Sequence, residues 1–271
     1  TVTDSLNAEV LDVASPKTRF LGNFGVGYSH ICEESARALG LTVTNTPGVL
    51  SECTADLTIM LMLMVARRAG EGERELRSGK WSGWAPTHMV GTKVSGKRLG
   101  IIGFGRIGQE VARRAHHGFG MNVVVYNRSA ISSKALAECG ARQVDTLDEL
   151  IPQCDFLSLH CPGGSSNRHL INAERLRLMN RDAYIINTAR GEVIDEFALA
   201  EALEDGSIGG AALDVFEGEP IINASLLECG KTVLLPHLGS ATLETRQAMG
   251  FRVIENLDDF FEGREPRDRV I

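Results

Sequence analysis

From residue 99 to residue 235, short apolar, β-rich runs alternate with stretches in which apolar residues recur every three or four positions. The runs at 99–102, 123–126, 156–160, 184–187, 210–215 and 233–235 predict strands. The intervening stretches 106–117, 132–138, 172–179 and 195–203 predict helices, with polar starts and Gly near several ends. Such alternation is the signature of a parallel sheet covered by helices on both faces. Residues 50–238 therefore read as one doubly wound α/β domain.

Upstream, 19–23 and 41–44 read as strands, 29–39 as a helix, and Thr46-Pro47-Gly48 as a turn, which makes a second, smaller α/β unit. From Ser51, read as an N-cap and followed by Glu52, one long helix is predicted to about Ser78. A last helix, 243–261, has the length and position to cross back onto the first unit, so 1–49 and 239–271 are grouped as one domain.

Composition narrows the function. The 271 residues are 43% hydrophobic and 23% charged, the balance of an ordinary globular protein. Twenty-eight Lys and Arg against 35 Asp and Glu leave a net charge of -7, so no basic surface points to nucleic acid or an anionic membrane. The longest apolar run, 57–66, is far shorter than the ~20 residues of a membrane span, and is expected to be a buried helix. Six scattered cysteines without a CxxC pair, and no His at metal-ligand spacing, read as reduced thiols with no metal site. With no signal peptide at the start, the expectation is a cytoplasmic protein with a small-molecule partner.

Gly103-Phe104-Gly105-Arg106-Ile107-Gly108 is a GxGxxG sequence, weak alone, but here it follows an apolar strand and opens a helix. In that context Gly103 makes the tight turn, Gly105 admits a pyrophosphate, and Gly108 lets helix pack on strand, the fingerprint of a Rossmann dinucleotide site. The next strand ends in Asn127-Arg128-Ser129, where an NAD site usually places an acid on the ribose 2'-OH. Without that carboxylate, with a cation at Arg128 and a hydroxyl at Ser129, NADP(H) is the expected ligand and NAD(H) the alternative; an exposed turn with an incidental Arg is the ordinary reading.

Three polar residues fall where strands end: Arg190, Glu219 and His237. An Arg there can clamp a carboxylate and polarise its neighbouring carbonyl, a His can donate a proton to that carbonyl, and a carboxylate on the other imidazole nitrogen fixes the tautomer. Singly, each is equally a helix-capping Arg, a surface Glu or a core His.

In combination and order, these motifs resemble the D-isomer-specific 2-hydroxyacid dehydrogenase family, from Asn23-Phe24-Gly25-Val26-Gly27 to Pro236-His237-Leu238-Gly239-Ser240. Trp81-Ser82-Gly83-Trp84-Ala85-Pro86 and Glu219-Pro220-Ile221-Ile222-Asn223 carry a narrower likeness to glyoxylate and hydroxypyruvate reductases. The resemblance implies a Rossmann nucleotide domain plus a smaller flavodoxin-like substrate domain acting as a lid. It implies Arg190 on substrate carboxylate and keto oxygen, His237 as acid/base, Glu219 as its partner, and backbone N–H groups of Val26 and Gly27 on the carboxylate. It places Thr54, Cys161 and Pro162 beside the adenosine and Thr188 and Asp214 near the nicotinamide. Ala189, Arg190, His237 and Gly239 complete the implied cofactor lining. Relative to that family the chain reads as truncated at its N-terminus by about one β-α-β unit.

The expected activity is NADPH-dependent reduction of a small 2-oxoacid. Met60, Met62 and Met64 read as core or subunit interface, and the resemblance to the reductases implies that Trp84 reaches a neighbouring subunit's pocket, so a homodimer is expected. Two rivals share the fold: formate dehydrogenase, which has Gln where Glu219 stands, and dinucleotide-sensing corepressors, which keep Arg, Glu and His.

Overall fold

A computed structural model describes residues 4–12 and 17–271. The chain divides into two compact units, Thr1–Cys53 with Ser240–Ile271, and Thr54–Gly239. The first division falls inside the first turn of the helix Ser51–Ala66 rather than ahead of it.

In the smaller unit, β1 (Phe20–Gly22) runs parallel to β2 (Thr42–Thr44), with Phe20 opposite Thr42. The expected helix over 29–39 shortens to Glu33–Ala38 because 28–31 forms a turn, closed by Ile31 N–H donating to Tyr28 O at 3.0 Å. A short helix, Ala8–Asp12, precedes both strands, and Val13 lies outside the described residues. The helix Leu243–Phe261 begins at the Thr242 cap and packs Phe260 against Phe20, the rings tilted by 45° with centroids 5.3 Å apart. Leu11, Ile31, Leu41, Val43 and Ile271 are its buried centre.

The larger unit contains β3 (Arg98–Ile102), β4 (Asn122–Tyr126), β5 (Ala141–Val144), β6 (Phe156–Leu159), β7 (Tyr184–Asn187), β8 (Gly210–Leu213) and β9 (Thr232–Leu234). They form one parallel sheet in the order β5-β4-β3-β6-β7-β8-β9. Successive residues of a strand serve opposite layers: Phe156 and Ile186 join one core, Leu157 and Ile185 the other. That is why the central strands read as near-continuous apolar runs, interrupted inside β6 only by Ser158. The order reverses between β3 and β6, and in an open α/β sheet the ligand crevice lies at the strand carboxyl ends beside such a switch point.

Two expectations are corrected. The long helix from Ser51 to Ser78 is two helices, Ser51–Ala66 and Ala69–Arg77, because Arg68 adopts a left-handed conformation at φ 53°. The Ala66 carbonyl freed by the break accepts Thr92 N–H at 2.7 Å. The sheet also has a strand the pattern did not reveal: in β5 only Val144 is buried, so this edge strand shows no apolar run.

Candidate functional site

The loop after β3 has the geometry its glycines demand. Gly103 sits at φ 91°, and a Cβ there would come within 2.7 Å of the His160 carbonyl and Cys161 N beyond β6. A Cβ on Gly108 would overlap the Gly103 carbonyl, so this glycine seats the helix Arg106–Phe119 against the loop. Gly105, the N-cap, has no side-chain cap, and a Cβ there meets nothing within 4 Å. Open space over an uncapped helix N-terminus fits a pyrophosphate: Gly105 to Gly108 would hold it through backbone N–H groups and the helix dipole.

Asn127 closes the loop from the β4 side. Its Oδ1 accepts Phe104 N–H at 3.1 Å, and its Nδ2 donates to Ser129 Oγ at 3.0 Å. The amide expected to face the ribose is therefore engaged within the protein, whereas Arg128 is exposed at the tip of the turn. Gln143 on β5 braces the same turn, donating to Ser129 O at 3.1 Å and accepting Ile131 N–H at 2.9 Å. At the end of β6, burial pushes the Cys161 thiol up to about 11, partly opposed by a backbone hydrogen bond and the Arg128 charge, so it stays protonated at neutral pH. Pro162 O accepts from Asn167 Nδ2 at 2.8 Å.

Arg190, Glu219 and His237 all follow sheet strands of this unit. His237 Nδ1 lies 2.8 Å from Glu219 Oε2, while Glu219 Oε1 accepts Phe216 N–H at 2.9 Å. Burial raises the Glu219 carboxyl, but the His237 and Phe216 hydrogen bonds with the His237 and Arg190 charges outweigh it and hold it below its ordinary value. Arg190 is part-buried: burial lowers its pKa against the opposing charges of Glu192 and Glu219, and guanidinium basicity keeps it protonated. Its one side-chain hydrogen bond among the described residues goes to Ala189 O at 2.7 Å, and no carboxylate pairs with it within 4.0 Å. Gly191 permits the approach of the two loops, since a Cβ there would overlap the backbone of Phe216 and Glu217.

Asp214 holds the histidine turn. Its carboxylate accepts Leu238 N–H at 2.6 Å and Gly239 N–H at 2.8 Å, and its carbonyl accepts His237 N–H at 2.9 Å. Burial raises this carboxyl against those backbone hydrogen bonds. Thr54 Oγ1 donates to Gly239 O at 3.1 Å, and Thr58 Oγ1 links the helix to Thr188 Oγ1 at 2.9 Å. Asn187 shapes the arginine turn by donating to Arg190 O at 2.8 Å and accepting Ala189 N–H at 3.0 Å. Gln143, Thr58 and Asn187 in these roles escape sequence reasoning. The only signal for them is a polar residue inside or beside an apolar element.

Trp84 stands apart, 83% exposed in the segment after the second helix. Val26 and Gly27 belong to the smaller unit, in the loop after β1. Among the described residues no group of His, Cys, Asp and Glu is arranged to hold a metal, and no helix is long and apolar enough to cross a membrane.

A parallel doubly wound sheet with a glycine loop at its switch point, and an Arg, Glu and His at its strand ends, defines an NAD(P)-dependent oxidoreductase. Residues 59–239 match the family model described as D-isomer specific 2-hydroxyacid dehydrogenase, NAD binding domain. A glyoxylate reductase of Thermococcus litoralis is 45% identical over 273 residues, covering 99% of this chain and 81% of that protein. Another, of Korarchaeum cryptofilum, is 45% identical over 99% of this chain and 80% of its own length. The NADPH-dependent glyoxylate/hydroxypyruvate reductase of Sinorhizobium meliloti, solved with NADP and malonate, superposes with a TM-score of 0.91 at 36% identity, covering 98% of this chain and 82% of that one. The chain belongs to the D-isomer-specific 2-hydroxyacid dehydrogenase family.

Proposed function

We propose that this protein reduces a small 2-oxoacid, glyoxylate or hydroxypyruvate, to the D-2-hydroxyacid, with NADPH preferred over NADH. The observation that carries the reading is the 2.8 Å contact of His237 Nδ1 with Glu219, a carboxylate that also feels the charge of Arg190, which has no carboxylate partner within 4.0 Å among the described residues. With Nδ1 engaged, Nε2 is the imidazole atom left to carry the proton. Bound in the larger unit, the dinucleotide supplies hydride to the keto carbon. Arg190 holds the substrate carboxylate and polarises the keto oxygen, and His237 Nε2 delivers the proton to that oxygen. The family likeness assigns carboxylate recognition in the smaller unit to Val26 and Gly27. A panel of 2-oxoacids with NADPH and NADH, followed by nicotinamide absorbance, tests the reading. Rapid loss of absorbance with glyoxylate or hydroxypyruvate supports it, whereas NADPH binding without turnover on any 2-oxoacid identifies a dinucleotide-sensing protein instead.

Glu219→Gln tests the pair. Glu219, held below its ordinary value, keeps an ionised acceptor on Nδ1 at neutral pH. Replacing it by the amide should lower kcat for reduction by roughly tenfold if the charge contributes ~1.4 kcal/mol to the transition state, with NADPH affinity unchanged. An unchanged kcat would remove Glu219 from this role.

The proposal includes a homodimer. Leu76, Trp81, Trp84 and Val90, exposed by 62%, 51%, 83% and 65%, crowd apolar surface into one short segment, with Met60 half exposed on the preceding helix. Light scattering at micromolar concentration should give twice the chain mass. A monomer would leave Trp84 without a neighbour's pocket to enter.

A further inference from the structure

Asn23, at the end of β1, is fully buried, which is unusual for an amide. Its Nδ2 donates to two carbonyls of the following loop, Gly25 O at 3.0 Å and Gly27 O at 3.1 Å. Asn45, just after β2, donates from Nδ2 to the carbonyl between them, Val26 O, at 2.9 Å. Thr46 N–H adds a second donor to Gly25 O at 3.0 Å, and Asn45 is itself anchored through its N–H on Asp268 O at 3.2 Å. Turning the Asn23 amide over would press Oδ1 against two carbonyl oxygens, so the hydrogen-bond pattern fixes its orientation. The consequence is that Asn23 Oδ1 is buried without a hydrogen-bond partner among the described residues, an uncompensated acceptor that stability alone would remove.

The three pinned carbonyls dictate where the intervening amides point. In a planar trans peptide the N–H lies opposite the preceding C=O. Holding Gly25 C=O toward Asn23 and Thr46 therefore aims Val26 N–H the other way, and holding Val26 C=O toward Asn45 aims Gly27 N–H away from Asn45. Neither N–H has a hydrogen-bond partner among the described residues. The Arg246 guanidinium, 5.9 Å from the Phe24 ring centre, brings positive charge to the same loop. Adjacent outward N–H groups near a cation form a concavity suited to a planar carboxylate.

We propose that Asn23 and Asn45 are positioning residues that aim the Val26 and Gly27 N–H groups at the carboxylate of the substrate. This deepens the proposed function and rests on its assignment of Val26 and Gly27. Loss of either amide lets its carbonyls turn and scatters the receptor, without touching the dinucleotide loop or the proton donor of the other unit.

The test uses Asn45→Ala, Asn23→Ala and the near-isosteric Asn23→Leu. Each should raise KM for the 2-oxoacid about tenfold, with kcat, NADPH affinity and the pH-rate profile within about twofold of the parent. Agreement of Asn23→Leu with Asn23→Ala separates lost hydrogen bonds from a cavity, and Asn45→Ala carries the test if thermal melting shows that the Asn23 variants do not fold. A second readout needs no turnover: oxamate, an unreactive carboxylate, should shift the Val26 and Gly27 amide resonances of the ¹⁵N-labelled parent, and shift them far less in Asn45→Ala. If the parent reduces 2-oxoacids but KM in Asn45→Ala stays within twofold, the positioning role is wrong and the proposed function stands. If no 2-oxoacid is reduced while oxamate still shifts those amides in the parent alone, the receptor stands and the proposed reaction is wrong. Oxamate leaving both amides unmoved in the parent overturns the inference.

Discussion

His237→Ala is expected to lower kcat for 2-oxoacid reduction by ~10²- to 10⁴-fold, the usual worth of a positioned general acid, while NADPH affinity changes by less than about twofold. The separation follows from geometry. The imidazole is oriented by Glu219 at 2.8 Å, and the turn beneath it is held by Asp214 through Leu238 N–H, Gly239 N–H and His237 N–H, all of which alanine leaves in place. Backbone conformation requires a control, because His237 lies at φ 56°, where alanine is strained and asparagine is better tolerated. His237→Asn should therefore match His237→Ala in lost turnover while melting closer to the parent. Single-turnover rates with saturating NADPH, together with a cofactor titration, measure the two quantities separately. Near-normal turnover in either variant would exclude His237 as the proton donor, and equal losses in turnover and NADPH affinity would make it a structural residue.

Much of this architecture is legible along the chain because the central strands are buried on both faces and the helices on one. Those requirements write continuous apolar runs and 3.6-residue periodicity into the sequence. Where burial is partial, the signal fades. β5 exposes Arg142 and hides only Val144, so nothing marks it as a strand. The break at Arg68 is invisible for a different reason: Arg is a good helix former, and its left-handed backbone follows from tertiary packing, with Thr92 taking the Ala66 carbonyl and Glu71 holding the Arg68 guanidinium at 2.7 Å. The candidate site divides in the same way. Its glycines are readable because each solves a local steric problem, such as the closeness of Gly103 to the His160 carbonyl. Order along the chain brought Arg190, Glu219 and His237 to strand ends, but their separations depend on loop conformation. Asn187, Gln143, Asn23 and Asn45 act by donating to backbone carbonyls, and polar residues in loops are too common for sequence to distinguish such a brace from a solvated side chain.

Arg128→Ala is expected to weaken NADPH by about ten- to a hundredfold while leaving NADH nearly unchanged. A hydrogen bond to a charged group contributes ~1.5–3 kcal/mol, and each ~1.4 kcal/mol is tenfold in affinity. Arg128 is the exposed cation of the turn after β4, whereas Asn127 is engaged by Phe104 N–H and Ser129, so discrimination should reside in Arg128 and the Ser129 hydroxyl more than in the Asn127 amide itself. That distribution sharpens the companion variant. In Asn127→Asp the carboxylate can still accept Phe104 N–H and the Ser129 hydroxyl proton; it loses the donation to Ser129 O, but Gln143 Nε2 still holds that carbonyl at 3.1 Å, so the loop should keep its shape. The new charge then repels a 2'-phosphate and offers the ribose 2'-OH an acceptor. The ratio of NADPH to NADH affinity should therefore fall further in Asn127→Asp than in Arg128→Ala, with NADH binding improved only in the former. Fluorescence titration of both cofactors against the parent and the two variants measures these ratios. Equal use of NADH by the parent, or an Arg128→Ala variant that weakens both cofactors alike, would reduce Arg128 to a residue of an exposed turn.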